Sequence, residues 1–149
     1  SPVLGSAGVA VTTASGNFLH GLTLGNATTA LLGSGFGTLT INDNVVINTS
    51  GVAMNLVNGT LAVTTNSVTS TGGANNIVMS QVSGSAALGS GALSGATGSS
   101  FLIGTAVANS GGNAAISYAG TITQASAGQL VLIEAIGGGL AWGAGVIRW

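Results

Sequence analysis

The chain has 149 residues, and one basic and two acidic side chains give it a formal net charge of −1. An average soluble domain is about a quarter charged, and catalysis, metal chelation and phosphate or nucleic-acid binding all draw on that quarter. With 46% hydrophobic residues the chain is too apolar for disorder, and its 27 Gly, with many Ser, Thr and Asn, leave too few helix formers for an α-fold. An all-β protein remains, read as a single domain over 1–149.

In chain order, Val3-Leu4 and Val9-Ala-Val11 form an apolar N-terminal segment within 1–11. Leu22-Thr-Leu24 and Ala30-Leu-Leu32 follow, and these early runs read as an atypical first coil or coils. A repeat then sets in, with Gly followed by a short strand pattern at Gly37–Ile41, Gly59–Val63, Gly84–Leu88 and Gly112–Ile116. The starts are 22, 25 and 28 residues apart. Each is followed by a second apolar position, Val46, Val68, Leu93 and Ile122, and by a closing cluster: Val52–Leu56, Ile77–Met79, Phe101–Ile103 and Leu130–Ile133.

Three short β-prone runs per unit, punctuated by Gly and Asn that suit corners of positive φ, predict a parallel β-helix with about three strands per coil. Alternation in Leu39/Ile41, Leu61/Val63 and Ala86/Leu88 supplies the inward side chains. The alternative is an antiparallel β-sandwich. Against it, the three-run order recurs, and Asn58-Gly59 is the one Asn-Gly hairpin signal between alternating strands.

The segments Gly51–Leu56, Thr60–Thr64, Val68–Ile77, Leu93–Gly98 and Ile116–Gln124 resemble the β-strand repeats of large bacterial cell-surface and secreted, adhesin-like proteins. The resemblance covers roughly half the chain. It implies a right-handed parallel β-helix and an extracellular or cell-surface location. A start at Ser1-Pro2 without Met fits removal of a secretory leader, and equally an arbitrary start.

Few residues are available for chemistry. Asp43 and Glu134 are the carboxylates; in the repeat register they lie three coils apart, roughly 14 Å at 4.8 Å per coil, too far for paired glycosidic catalysis. His20 is the sole imidazole and lies in a β-prone run with no nucleophile elbow. One His, two carboxylates and no Cys do not make a zinc or calcium site. With no Lys and only Arg148 there is no phosphate loop and no nucleic-acid footprint. The expectation is therefore a non-enzyme with no cofactor and no metal. The apolar run Leu130–Val146 is interrupted by Glu134 and several Gly, which argues against a membrane-spanning helix. Asn26, Asn48 and Asn58 head Asn-x-Ser/Thr sequons and are candidate glycosylation sites.

The outward side chains are expected to be Thr, Ser, Asn, Gln, Ala and Gly. A surface near zero net charge favours association, and solenoid ends expose unpaired strand edges. The apolar termini, 1–11 and 140–149, carry the candidate contact residues Val3, Leu4, Val9, Val11, Trp142, Val146, Ile147 and Trp149. Capping of the subunit's own core is the alternative use of these segments. Glu134 and Arg148 are candidates to pair, within or between subunits. The functional expectation is a homo-oligomer that polymerises head to tail into an extracellular filament or surface layer. The alternative is a fragment of a surface adhesin that binds glycans or another surface.

Overall fold

The computed structural model describes residues 1–104 and 110–123 throughout, and the backbone alone of 130–136 and 142–148. The strands are β1 (Val3–Leu4), β2 (Val9–Thr13), β3 (Phe18–His20), β4 (Thr23–Gly25), β5 (Thr29–Asn42), β6 (Val46–Thr49), β7 (Val52–Thr64) and β8 (Ser67–Ser70). They continue with β9 (Ile77–Ala87), β10 (Ala92–Leu93), β11 (Phe101–Ile103), β12 (Ala115–Ser117), β13 (Thr121–Ile122), β14 (Leu130–Ile136) and β15 (Trp142–Arg148). Every pairing among β1–β13 is parallel, so the fold is a parallel β-solenoid and the sandwich is excluded.

Two ladders run along the axis. Short strands stack in the order β1-β4-β6-β8-β10-β13, and long strands in the order β11-β9-β7-β5-β2, with β3 beside β5 and β12 beside β9. On the short-strand face Val3 pairs with Thr23, Thr23 with Val46 and Val46 with Ser67. Those steps of 20, 23 and 21 residues lengthen to 29 between Ala92 and Thr121. The early runs Val9–Val11, Thr23-Leu24 and Ala30–Leu32 lie on β2, β4 and β5 of these ladders, with Leu22 just before β4.

Each central long strand joins the closing run of one coil to the opening run of the next. The bend within it falls on a left-handed residue: Asn58 (φ 57) in β7, Gln81 (φ 53) in β9, and Gly35 and Gly37 (φ 60 and 61) in β5. Asn58-Gly59 is thus a bend within a strand, with no hairpin. The short corners use Asn26, Asp43 and Asn44 in the same conformation, where a short polar side chain tolerates αL best after glycine.

Alternation puts one side chain in two inside. Leu31 stacks on Met54 and Met54 on Ile77; Ile41 stacks on Val63 and Val63 on Ala86; Leu24 stacks on Ile47 and Ile47 on Val68. All are buried, and each large side chain contributes about 1.5–3 kcal/mol. At the corners, buried side chains fasten one coil to the next. Thr49 Oγ1 donates to Ala27 O (2.7 Å), Ser70 Oγ to Gly51 O (2.6 Å), Thr65 Oγ1 to Leu88 O (2.9 Å) and Asn76 Nδ2 to Ser94 O (2.8 Å).

β5 has one extra residue relative to β7 between Ser34 and Gly37, and this bulge turns Phe36 fully inward. Gly59 lies against the Phe36 ring, where any Cβ would overlap it.

The register corrects the repeat in several places. Gly37, Gly59, Val82 and Gly112 share one column, so Gly84 is two residues out of the expected line and sits beside Leu61. It is glycine for another reason: its φ is 82, and a Cβ there would strike the Leu61 carbonyl. On the short-strand face Ile47, and not Val46, is the inward partner of Val68. Leu130–Ile133 do not close a coil in this structure; β14 pairs antiparallel with β15 as a two-stranded sheet, Leu130 opposite Arg148 and Glu134 opposite Ala144. Glu134 and Arg148 are therefore separated by four rungs of that hairpin, roughly 14 Å along the strand. The surface also departs from expectation: Leu32, Val78 and Leu102 share an outward column with Asn55, and all are half-buried.

Candidate assembly interface

The first rung of the long-strand face is made of β2 and β3, each paired only with β5 on its inner side. At the same end β1 pairs only with β4. At the far end β11 and β12 pair only with β9, and β13 only with β10. Among the described residues, both ends of the ladder thus present outer strand edges without a strand partner. Such an edge carries a row of backbone donors and acceptors that will template another strand.

Side-chain exposure marks five of these six edge strands. Among the described residues the exposed large hydrophobics are Val3 (65%), Leu4 (43%), Val9 (36%), Phe18 (54%), Ile103 (48%) and Ile122 (53%). Val3 and Leu4 are on β1, Val9 on β2, Phe18 on β3, Ile103 on β11 and Ile122 on β13. None is on a central rung. Stacking explains this for Leu4, Ile103 and Ile122, whose columns continue in the buried Leu24, Met79 and Leu93 and which lack a neighbour on one side, whereas Val3 and Phe18 stand on outward columns with Thr23 and Thr40.

Of the residues singled out from sequence, Val3, Leu4 and Val9 are exposed at the first end, whereas Val11 packs against the core. Trp142, Val146 and Ile147 lie on β15, and Trp149 is outside the described residues. Phe18, Ile103 and Ile122 were not legible as end residues. Among the described residues the far edge of the ladder lies at β11–β13, and only the stacking order reveals where it falls.

Compared with models of protein families, with curated proteins and with solved structures, the chain matches none of them. The functional reading therefore rests on geometry.

The titratable residues do not converge. His20 is exposed on the end strand β3, its ring 5.3 Å from that of Phe18. Asp43 is exposed at a corner, where its backbone carbonyl accepts from Gly21 N–H at 2.7 Å. The Glu134 side chain lies outside the described residues. Among the described residues no group of three or more His, Cys, Asp or Glu is assembled, and no helix is long and apolar enough to cross a membrane. Tyr118 is the one phenol, and its hydroxyl donates to Val68 O at 2.9 Å, across the glycine column of Gly91 and Gly120. Burial raises its pKa above the ordinary tyrosine value. The sequon residues Asn26, Asn48 and Asn58 are all exposed.

Proposed function

We propose that this chain is a non-enzymatic structural subunit of an extracellular filament or surface layer, assembling head to tail by stacking of strand edges and burial of apolar end residues. One observation carries the reading: among the described residues the exposed large hydrophobics all lie on strands whose outer edges have no partner. A contact between one end and the other is heterologous and does not close, so it propagates as a filament. The scarcity of charge acts in the same direction, because no like charges oppose one another across the junction. Val3, Leu4, Val9 and Phe18 form one side of that junction, and Ile103 and Ile122 the other. The terminal strand β15, with Trp142, Val146 and Ile147, is assigned to the second side.

The test is negative-stain electron microscopy of the purified chain together with sedimentation across a concentration series. The expected result is uniform filaments with an axial subunit repeat of roughly 29 Å, six rungs at about 4.8 Å, growing above a threshold concentration. Monomers at all concentrations would remove the reading.

A second reading, a fragment of a surface adhesin, draws on the flat polar face. There Thr38, Thr60 and Ser83 stack in register, and the Thr60 and Ser83 hydroxyls share a hydrogen bond of 3.0 Å. Retention on a glycan array by dispersed monomers would favour it.

A further inference from the structure

The corner that leads from the short-strand face to the long-strand face changes length from coil to coil. It runs over 5–8 between β1 and β2, 26–28 between β4 and β5, 50–51 between β6 and β7, and 71–76 between β8 and β9. The chain is cut shortest at 50–51, which notches the corner between 26–28 on one side and the long corner 71–76 on the other. A groove of about 440 Å³ follows this notch, and Ser6, Asn26, Thr28, Ser50, Gly51 and Gly73 are among its walls. No lining residue is charged.

Asn26 also heads one of the three sequons, and the fold separates the three. Asn48 and Thr49 belong to β6, where Asn48 is paired with Gly25 on one side and Thr69 on the other, and Thr49 is buried. Asn58, Gly59 and Thr60 lie inside β7. There Gly59-Thr60 pair with Gly37-Thr38 and with Val82-Ser83, and the Thr60 hydroxyl is bonded to that of Ser83. Of the three, Asn26-Ala27-Thr28 alone lies wholly in a corner, outside any strand. Asn26 and Thr28 are both exposed. The Thr28 hydroxyl donates to Ala7 O at 2.9 Å, and its oxygen keeps its capacity to accept. A sequon is used where it forms a surface loop that a transferase can reach, and a strand paired on both sides does not offer that.

We infer that Asn26 is an N-glycosylation site, the one sequon of the three that the folded chain presents. The donor is an oligosaccharide linked through pyrophosphate to a polyprenyl lipid. The Asn26 carboxamide nitrogen loses a proton and bonds the anomeric carbon, while the bond from that carbon to oxygen breaks and its electron pair leaves with the pyrophosphate. The groove beside Asn26 gives the first sugar a neutral wall with the hydroxyls of Ser6, Thr28 and Ser50, and no charge there has to be desolvated. The corner is lateral to the stack, so the modification adds hydrophilic bulk to a charge-poor surface. Its occurrence rests on the extracellular placement proposed above; the choice among the three sequons does not.

The test incubates the folded chain with a purified oligosaccharyltransferase and a lipid-linked oligosaccharide, and reads intact mass. One glycan is expected, lost in Asn26→Gln and retained in Asn48→Gln and Asn58→Gln, with occupancy at Asn26 at least about tenfold that at either other sequon. Gln81 already adopts the left-handed backbone (φ 53) that the first variant requires. Should that variant misfold, Asn26→Asp repeats the test, with Asp43 (φ 50) as its precedent. A glycan that persists in the Asn26 variants, equal occupancy of the three sequons, or no transfer by an enzyme that modifies a control peptide would overturn the assignment. Filaments from a chain that takes no glycan would defeat the site and leave the filament standing; a glycan on Asn26 of a chain that never polymerises would do the reverse.

Discussion

The central and terminal rungs of this solenoid use the same residue types to opposite ends. In β5 and β7 an unbroken strand of 14 or 13 residues runs through a left-handed bend, and its inward side chains are covered on both sides. In the first and last rungs the strand is broken, into β2 and β3 or β11 and β12, and Val9, Phe18 and Ile103 are left in water. For an inward side chain such as Ile103, in the column of the buried Met79, position in the stack decides whether it stabilises the monomer or waits for a partner. Substitutions should therefore divide: central ones lower stability and leave assembly intact in the folded fraction, and terminal ones do the reverse.

The largest loss of stability is expected for Leu61→Ala. Leu61 is 2% exposed, and emptying such a site costs about 2–5 kcal/mol, read as a lower urea midpoint at unchanged slope. Gly59→Ala should follow at about 1–3 kcal/mol, because the added methyl overlaps the Phe36 ring in a packed core. Combining it with Phe36→Leu should cost less than the two single losses added together; strict additivity would show that the two residues do not meet.

Tyr118→Phe removes one part-buried hydrogen bond and should cost about 1 kcal/mol. Its pH dependence has a definite sign. The phenol's pKa is raised in the folded state, so its contribution is fully present below the unfolded value of about 10 and is lost as pH rises through the folded value. Alkaline denaturation should show this loss in the parent and not in the phenylalanine variant. Phe18→Lys should change stability least, by under about 0.5 kcal/mol, since Phe18 is 54% exposed. It should nonetheless raise the threshold concentration for filaments at least tenfold, because a charge then sits at every junction; an unchanged threshold in sedimentation would remove Phe18 from the interface.

Much of the fold was legible in the sequence, because coil length and inward alternation are written in residue spacing. The Gly37 and Gly59 starts pair in the observed register, and the corners fall at Asn and Gly. What escaped was the distinction between one glycine and another. Gly84 looks like Gly59 in a repeat, yet one avoids a neighbouring carbonyl in a positive-φ position and the other makes room for a ring. No spacing rule separates those causes. The candidate interface was half legible. Val3, Leu4 and Val9 lie near the start of the chain and also at the start of the stack, whereas the far edge depends on where the ladder stops.

Repetition carries a hazard that Phe36 answers. Coils of nearly equal length and similar alternation could join with one rung skipped, and most columns would still match apolar to apolar. Phe36 protrudes from one rung only, and the neighbouring coil has a glycine to receive it, while the coil after that has Val82 in the same column. A chain that folded with β5 directly on β9 would press an aromatic ring against a valine. The bulge thus acts as a key that the adjacent coil accepts and the next one refuses, which guards β5 against skipping a single rung.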